Sequence, residues 1–396
     1  MGKRIAVLVE TSHGSGRDLV RGVARFVRES ASDWVIEHET QRLEGRPPSW
    51  LARWQGDGIL ARLHSSRVAE AVVRRGVPVI DVLDALPLPA GVESAYVDDA
   101  AISQLAFEHL HSLGLRQFCY LGPSRRIWAQ KRRDGFLAAA AVAGLPVSVR
   151  EFARTIHTHE PAGDCAGRLA HWLGRLPRPL GLMAANDTYA WLATTACREA
   201  GLAVPEHVAI IGVDNDEVYC SLAQPPLSSV ITNNERLGYE AARRLAARMA
   251  GAPASRRPAA IVKPIGIHAR ASTDTLAIDD EEIAAALRLI RDHAIENLTV
   301  SDLAEAVGLA GSTLQRRFRA AVGLSVHEAC IRRRLEIACR LLAETNLSLV
   351  AVAHRAGVGH QQNLGRLLRQ RLGLTPAAYR QQARAGHPVG TVQSRG

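Results

Sequence analysis

The sequence of 396 residues is poor in lysine, methionine, cysteine and aromatic side chains, with three lysines (Lys3, Lys131 and Lys263), three methionines, six cysteines and 5% Phe, Trp and Tyr. The cysteines, Cys119, Cys165, Cys197, Cys220, Cys330 and Cys339, form neither a CxxC nor a CxxxC pair. That spacing argues against a disulfide framework and a thiolate zinc site, and makes a reducing cytoplasm the expected compartment. No stretch approaches the ~18–20 uninterrupted apolar residues of a bilayer span, so no membrane partner is expected. The apolar run Ile5–Val9 behind Lys3-Arg4 is cut by Glu10 and is too short for the core of a signal peptide. What remains is a globular balance, 47% hydrophobic and 22% charged. The length suits two or three domains at ~100–200 residues each.

Arginine carries the positive charge, and it is unevenly placed. Of the formal +10, residues 281–396 hold +7, from 16 Arg, no Lys and nine acids. The last acid is Glu344, after which come Arg355, Arg366, Arg369, Arg371, Arg380, Arg384 and Arg395. A stretch of one sign suits a polyanion partner. Arginine on solvated helix faces would look the same by charge alone.

The first 270 residues alternate short apolar runs with longer amphipathic ones. Ile5–Val9, Gly58–Leu60, Val77–Val82, Gln117–Leu121, Gly181–Ala184 and Val208–Val213 read as buried parallel strands, apolar on both faces. Between them, Asp18–Ser30, Ala100–Leu113, Arg132–Ala143, Asp164–Leu173, Asp187–Ala200 and Glu235–Ala250 read as helices, several closed by glycine. The alternation predicts a doubly wound α/β sheet. Near residue 270 the pattern changes: Ala271-Ser272-Thr273-Asp274-Thr275 reads as a polar connector, and Asp279-Asp280-Glu281-Glu282 suits a helix start. Beyond it only helical segments are expected: Glu282–Asn297, Val300–Val307, Ser312–Val322, Val326–Glu344, Leu347–Ala356, His360–Leu372 and Thr375–Arg384. This divides the chain into residues 1–272, a linker at 273–282, residues 283–384 and an aperiodic tail at 385–396 expected to be disordered.

The helical part contains a weak repeat. Leu303-Ala304-Glu305-Ala306-Val307-Gly308-Leu309 recurs 49 residues later as Val352-Ala353-His354-Arg355-Ala356-Gly357-Val358. Two helices that cross closely need a small residue at the crossing and a left-handed residue at the turn, which alanine and glycine supply. Each copy is followed by a basic helix, so the pair reads as two helix-turn-helix units. The outward-facing residues would be Ser312, Thr313, Gln315, Arg316 and Arg319 in the first recognition helix, and His360, Gln361, Gln362, Asn363, Arg366 and Arg369 in the second. Arg suits guanine O6/N7, and Gln or Asn suits adenine N6/N7.

On Leu303-Ala304, Val307-Gly308, Ser312-x-Leu314, Phe318, Arg334-Leu335-x-x-Ala338-x-x-Leu341-Leu342, Ala353, Gly357 and Gly373-x-Thr375-Pro376-x-x-Tyr379-Arg380, residues 283–384 resemble the DNA-binding domain of the AraC family. Val358, Leu364 and Leu368 stand where that family usually has aromatic residues. The first 270 residues resemble the sugar-binding core of lactose-repressor-type regulators and periplasmic binding proteins. The resemblance rests on Val97-Asp98-Asp99, Ala106-x-x-His109-Leu110, Arg132-x-x-Gly135-Phe136, Ala185-Asn186-Asp187, Ile210-Ile211-Gly212-Val213-Asp214-Asn215 and Pro225-Pro226-Leu227-Ser228-Ser229-Val230. A sugar-binding core in front of an AraC-like domain is similar in order to the bacterial xylose-operon activators. The resemblance implies an α/β periplasmic-binding-protein-like (type I) domain of two lobes joined by three crossings, then an all-α domain with two helix-turn-helix units. It implies a sugar-responsive transcription activator rather than an enzyme, probing double-stranded operator DNA as a homodimer, with RNA polymerase as a further partner and no cofactor.

An uncharged pentose needs fixed donors and acceptors and an aromatic face. Arg132, Asn186 and Asp214 match the positions that hold sugar in the resembled cores. Glu10, at the carboxyl end of the first strand, and Trp128 join them because ligands sit beyond the carboxyl ends of parallel strands. Arg17 and Asp187 are further candidates. Asp214 could instead cap a turn, Asn186 could cap the following helix, and Trp128 could be core.

Rival classes fit less of the chain. His13-Gly14-Ser15-Gly16-Arg17-Asp18-Leu19 lacks the third glycine of a dinucleotide fingerprint, and there is no Walker lysine. His157-Thr158-His159 has no neighbouring ligand at metal spacing. Asp98-Asp99 and Asp214-x-Asp216-Glu217 offer paired carboxylates, at places where the resembled binders have non-catalytic loops. A cytoplasmic solute-binding protein without a DNA-binding role would explain the first 270 residues and leave the basic helices unexplained.

Overall fold

The computed structural model describes residues 2–40, 45–153, 162–255, 257–275, 280–296 and 298–384. His157-Thr158-His159 and the tail at 385–396 lie outside the described residues. The chain forms two compact units, Met1–Ala277 and Ile278–Gly396. Among the described residues no helix is long and apolar enough to cross a membrane.

The first unit opens with β1 (Arg4–Leu8), α1 (Gly14–Glu29), β2 (Val35–Glu39), β3 (Gly58–Ala61), α2 (Ser66–Val73), β4 (Val79–Asp81) and β5 (Val92–Val97). The chain then crosses into a second sheet with α3 (Asp99–Ser112), β6 (Gln117–Pro123), α4 (Ile127–Val142), β7 (Val147–Phe152), α5 (Ala162–Leu173), β8 (Leu180–Ala184), α6 (Asp187–Glu199), β9 (Val208–Val213), α7 (Glu217–Leu222) and β10 (Ser228–Ile231). It returns through α8 (Asn234–Met249) and β11 (Ala260–Val262), and crosses a third time to β12 (Gly266–His268). The sheet orders are β11-β5-β4-β3-β1-β2 and β12-β10-β9-β8-β6-β7, parallel except for β12 on β10. Each sheet is covered on both faces. Ile5, Val7 and Leu19 pack on one side of the first sheet and Ala6, Leu8 and Ile59 on the other. The two-lobed, three-crossing architecture is as expected.

Six strands escape the double-sided apolar pattern for physical reasons. β2 and β7 are sheet edges with half-exposed, alternating side chains. β5 carries the buried Glu93, held by Arg244 Nε at 2.7 Å and Nη2 at 2.9 Å. β10 buries Ser228 and Ser229, while β11 and β12 have three residues each. The Ala271–Thr275 stretch corrects the reading of a polar connector. Ala271–Thr273 is a turn of 3-10 helix in which Ser272 Oγ donates to Ile210 O at 2.6 Å and accepts from Ser228 N at 2.8 Å. Thr273 Oγ1 lies 2.8 Å from His109 Nε2. Small hydroxyls can be buried when every donor and acceptor is matched, and here they tie the segment into the second lobe.

The second unit comprises α9 (Glu281–His293), α10 (Val300–Ala306), α11 (Gly311–Val322), α12 (Val326–Glu344), α13 (Leu349–Arg355), α14 (Gln361–Leu372) and α15 (Pro376–Arg384). Capping boxes start α10 (Thr299 with Asp302) and α12 (Ser325 with Glu328). Two cores flank the long α12. One is built on Ile283, Leu303, Leu314 and Phe318, the other on Leu335, Val352, Leu364 and Leu368. Gly308 and Gly357 both take positive φ, +69° and +68°, the turn the repeat called for. The second turn holds one more residue, Gly359 at φ +81°. The buried pair Leu314 and Phe318 therefore recurs 50 residues on as Leu364 and Leu368, whereas Leu303 recurs at 49 as Val352.

Candidate functional site

Between the two lobes of the first unit lies a cavity of about 130 Å³ at the carboxyl ends of the parallel strands. Its lining brings together six of the seven residues singled out from the sequence: Glu10, Trp128, Arg132, Asn186, Asp187 and Asp214. Trp128 and Arg132 sit one turn apart on α4, with the guanidinium carbon 5.0 Å from the indole centroid. α4 starts at Ile127, five residues earlier than expected, and that puts the pair on a single rigid element.

Arg132 is buried and largely committed. Its Nε donates to Asp99 Oδ1 at 2.8 Å and its Nη1 to Ala185 O at 2.7 Å, while Nη2 lies 3.7 Å from Asp214 Oδ1. Burial raises the Asp99 carboxyl above its ordinary value, against the opposing pull of Arg132. Asn186 caps α6, its Oδ1 accepting from Tyr189 N at 3.2 Å, so the cap considered for it exists alongside its place in the lining. Asp214 follows β9 with φ +100° and Asn215 follows with φ +52°. A non-glycine residue held there costs about 1–3 kcal/mol and persists only where its surroundings enforce it. Here Asp214 N donates to Val230 O at 3.0 Å, Thr232 Oγ1 donates to Asp214 Oδ1 at 3.2 Å, and Asn215 N donates to Ser229 Oγ at 2.9 Å.

Asp187 lies beneath that turn. Ser229 Oγ and Asp216 N each stand 2.6 Å from its carboxyl oxygens, and burial pushes its pKa up to about 8. Gly212 makes room for it: a Cβ there would meet Asp187 Oδ1 at 2.1 Å. Its oxygens are thus occupied in shaping the Asp214–Asp216 turn. Arg17 is the one candidate outside the cavity lining. Its Nη1 donates to Thr11 O at 3.0 Å and Ser12 O at 2.9 Å, and its Nη2 reaches Asp216 Oδ1 at 3.3 Å. It braces the loop after β1 because the first turn of α1 points it back along that loop.

Asp216 joins the lobes. It caps α7 by accepting from Val218 N at 3.2 Å, and its Oδ2 accepts from Gly14 N of the opposite lobe at 2.7 Å. α1 has no cap from its own His13 side chain, so this carboxylate satisfies a helix N-terminus across the cleft. At another point on the cleft, Lys131 of α4 bonds Asp84 of the first lobe. Sequence reading missed Arg62, Tyr96, Asp99, Asp216 and Tyr219 in the lining. Arg62 directly follows β3 as Glu10 follows β1, and that shared placement was the available signal.

In the second unit, Ser312, Gln315, Arg316 and Arg319 on α11 are exposed and Thr313 is half-buried. His360, Gln361, Gln362, Asn363, Arg366 and Arg369, at and within α14, are all exposed. The apolar faces of both helices, Leu314 with Phe318 and Leu364 with Leu368, turn inward. Arg317 differs from its neighbours: it pairs with Asp280 at 2.5 Å and Glu282 at 2.8 Å, fixing α11 to the start of α9.

Family models match in chain order: a XylR N-terminal domain over residues 4–88, a periplasmic binding protein-like domain over 107–273 and a helix-turn-helix domain over 303–382. A model of the bacterial regulatory proteins of the tetR family also matches 283–320. The xylose operon regulatory protein of Escherichia coli K12 is 28% identical over 388 residues, covering 95% of this chain and 96% of that one. The protein of the same name in Haemophilus influenzae is 25% identical, covering 95% and 98%. A solved structure described as the xylose-binding transcription activator xylR superposes with a TM-score of 0.77 at 28% identity, over 96% of this chain and 98% of that one. The chain is a XylR-like regulator. It couples a periplasmic-binding-protein-like sugar domain to an AraC-type helix-turn-helix domain, and is a sugar-responsive DNA-binding transcription regulator, not an enzyme.

Proposed function

We propose that this regulator is a pentose-responsive activator that takes a sugar such as D-xylose in the cleft and operator DNA on α11 and α14. The observation that carries the reading is the cleft itself. Fixed acceptors (Glu10, Asp214), a two-way amide (Asn186), guanidinium donors and the Trp128 face surround a space of about 130 Å³, which is the equipment a small uncharged polyol requires. Similarity over the whole length to xylose operon regulators supports the choice of pentose.

In this reading the effector domain spans 1–272 and the DNA-binding domain 283–384, with the exposed polar and Arg side chains of α11 and α14 entering successive major grooves. Sugar stabilises the closed cleft, and a homodimer then places its DNA-binding domains on tandem half-sites, from which RNA polymerase is recruited. Calorimetry of the full chain against pentoses and hexoses tests the reading. Tightest binding by a pentose is expected; a hexose preference, or no sugar binding at all, would contradict it.

A further inference from the structure

We propose that Arg62 is a guanidinium that grips the bound sugar from the first lobe, donating its fork to two neighbouring hydroxyl oxygens, opposite Arg132 of the second lobe. The proposal rests on the reading of the cleft as a sugar site and adds a specificity-determining residue to it.

The two arginines differ in what they have left to give. Arg132 spends its Nε hydrogen on Asp99 and one of the two Nη1 hydrogens on Ala185 O, which leaves the second Nη1 hydrogen and Nη2, 3.7 Å from Asp214, for other acceptors. Arg62 lines the same cavity, yet among the described residues its Nε is buried without a hydrogen-bond partner and its guanidinium is held in no ion pair. The acids whose charge reaches it most are Asp214 and Glu10, the two carboxylates that face the cavity from opposite lobes. Its backbone is fixed, because Arg62 N donates to Leu8 O at 3.0 Å at the end of β1.

A guanidinium withdrawn from bulk water needs acceptors for its planar donors. The geometry of its fork fits a pair of oxygens on adjacent carbons. An anionic ligand is disfavoured, because the lining carries the carboxyl groups of Glu10, Asp99, Asp214 and Asp216, besides the Asp187 carboxyl that burial keeps protonated near neutrality, against three guanidiniums (Arg62, Arg126 and Arg132). Vicinal hydroxyls of a neutral sugar supply the acceptors without that repulsion. They can pass their own protons on to Glu10 or Asp214, so that one ligand links donor and acceptors across the two lobes.

The test is calorimetry of the full-length protein and its Arg62→Met and Arg62→Lys variants with D-xylose and with its singly deoxygenated analogues. Arg62→Met is expected to weaken xylose binding tenfold or more while the melting temperature without sugar stays the same or rises. The penalty that the unmodified protein shows for removing either of two adjacent hydroxyls should vanish in the variant, an outcome a merely structural role would not produce. Arg62→Lys keeps the charge without the fork and should lose the paired penalty as well, so the test stands if the Met variant fails to fold. Xylose affinity within twofold of the unmodified protein, or analogue penalties that survive in both variants, would overturn the proposal. If Asp214→Asn abolishes binding while Arg62→Met does not weaken it, the role of Arg62 falls and the sugar site stands. If the unmodified protein binds none of the sugars, both fall.

Discussion

Asp187 illustrates how a side chain that lines a cleft can also hold the shape of its neighbours. Its carboxyl shapes the Asp214–Asp216 turn, and burial raises its pKa to about 8. Because the folded value lies above the unfolded one, the folded chain binds the extra proton at intermediate pH, and this group's contribution to stability is lost as pH rises from about 4 to about 8. His109, lowered to about 4 by burial, pulls the other way below neutrality. The comparison is therefore the melting temperature of Asp187→Asn minus that of the unmodified protein, which should increase from acid to mildly alkaline pH; a flat difference would contradict the assignment. Asp214→Asn should cost sugar affinity at least tenfold, read by calorimetry, since an amide cannot accept with both oxygens. At this scale a place in the cavity lining was legible for Glu10 from its position at the end of a strand, and for Asn186 and Asp214 from the family resemblance. Arg132 was legible as a cleft arginine, but its bonds to the Asp99 side chain and Ala185 O depend on two other segments of the chain. Arg17 and Asp216 depend on how two lobes meet, which no local pattern encodes.

Elements were legible in proportion to how uniformly they are buried. β1, β3, β8 and β9 are apolar on both faces and read directly; β10, with its buried serines, needs Asp187, Arg270 and Ser272 as partners before it makes sense. The capping of α1 by Asp216 gives a sharp expectation. Asp216→Ala removes a cap contact between the two lobes worth about 1 kcal/mol. Sugar affinity should fall roughly fivefold, with little change in the far-ultraviolet circular dichroism; unchanged affinity would show that the contact does not bias closure. In the second unit, the core beneath α14 is built from aliphatic side chains where the core beneath α11 has Phe318. Leu368 is fully buried, and Leu368→Ala should destabilise that unit by about 2–5 kcal/mol in chemical denaturation. Sugar binding by the first unit should persist, and a loss below 1 kcal/mol would mean that the second core is loosely packed.

At the scale of the molecule, the asymmetry of charge and the division into two units describe a sensor joined to a reader. The reader's formal +7 lies in residues 281–396, and the arginines of α11 and α14 other than the ion-paired Arg317 are exposed while the apolar faces of these helices are buried. Replacing Arg316 or Arg366 by alanine should weaken operator binding and, where the side chain meets a phosphate, reduce the slope of log affinity against log salt by about 1. The order of the two domains was readable because each carries its own pattern, short apolar runs alternating with amphipathic stretches in the first and amphipathic stretches alone in the second. The coupling between them is a property of two states and is accessible only by measurement. Operator affinity of the full-length protein, determined at one fixed salt concentration with and without saturating pentose, tests that coupling most directly. The account predicts tightening by about 5- to 150-fold with sugar, and an operator affinity unchanged by sugar would contradict it.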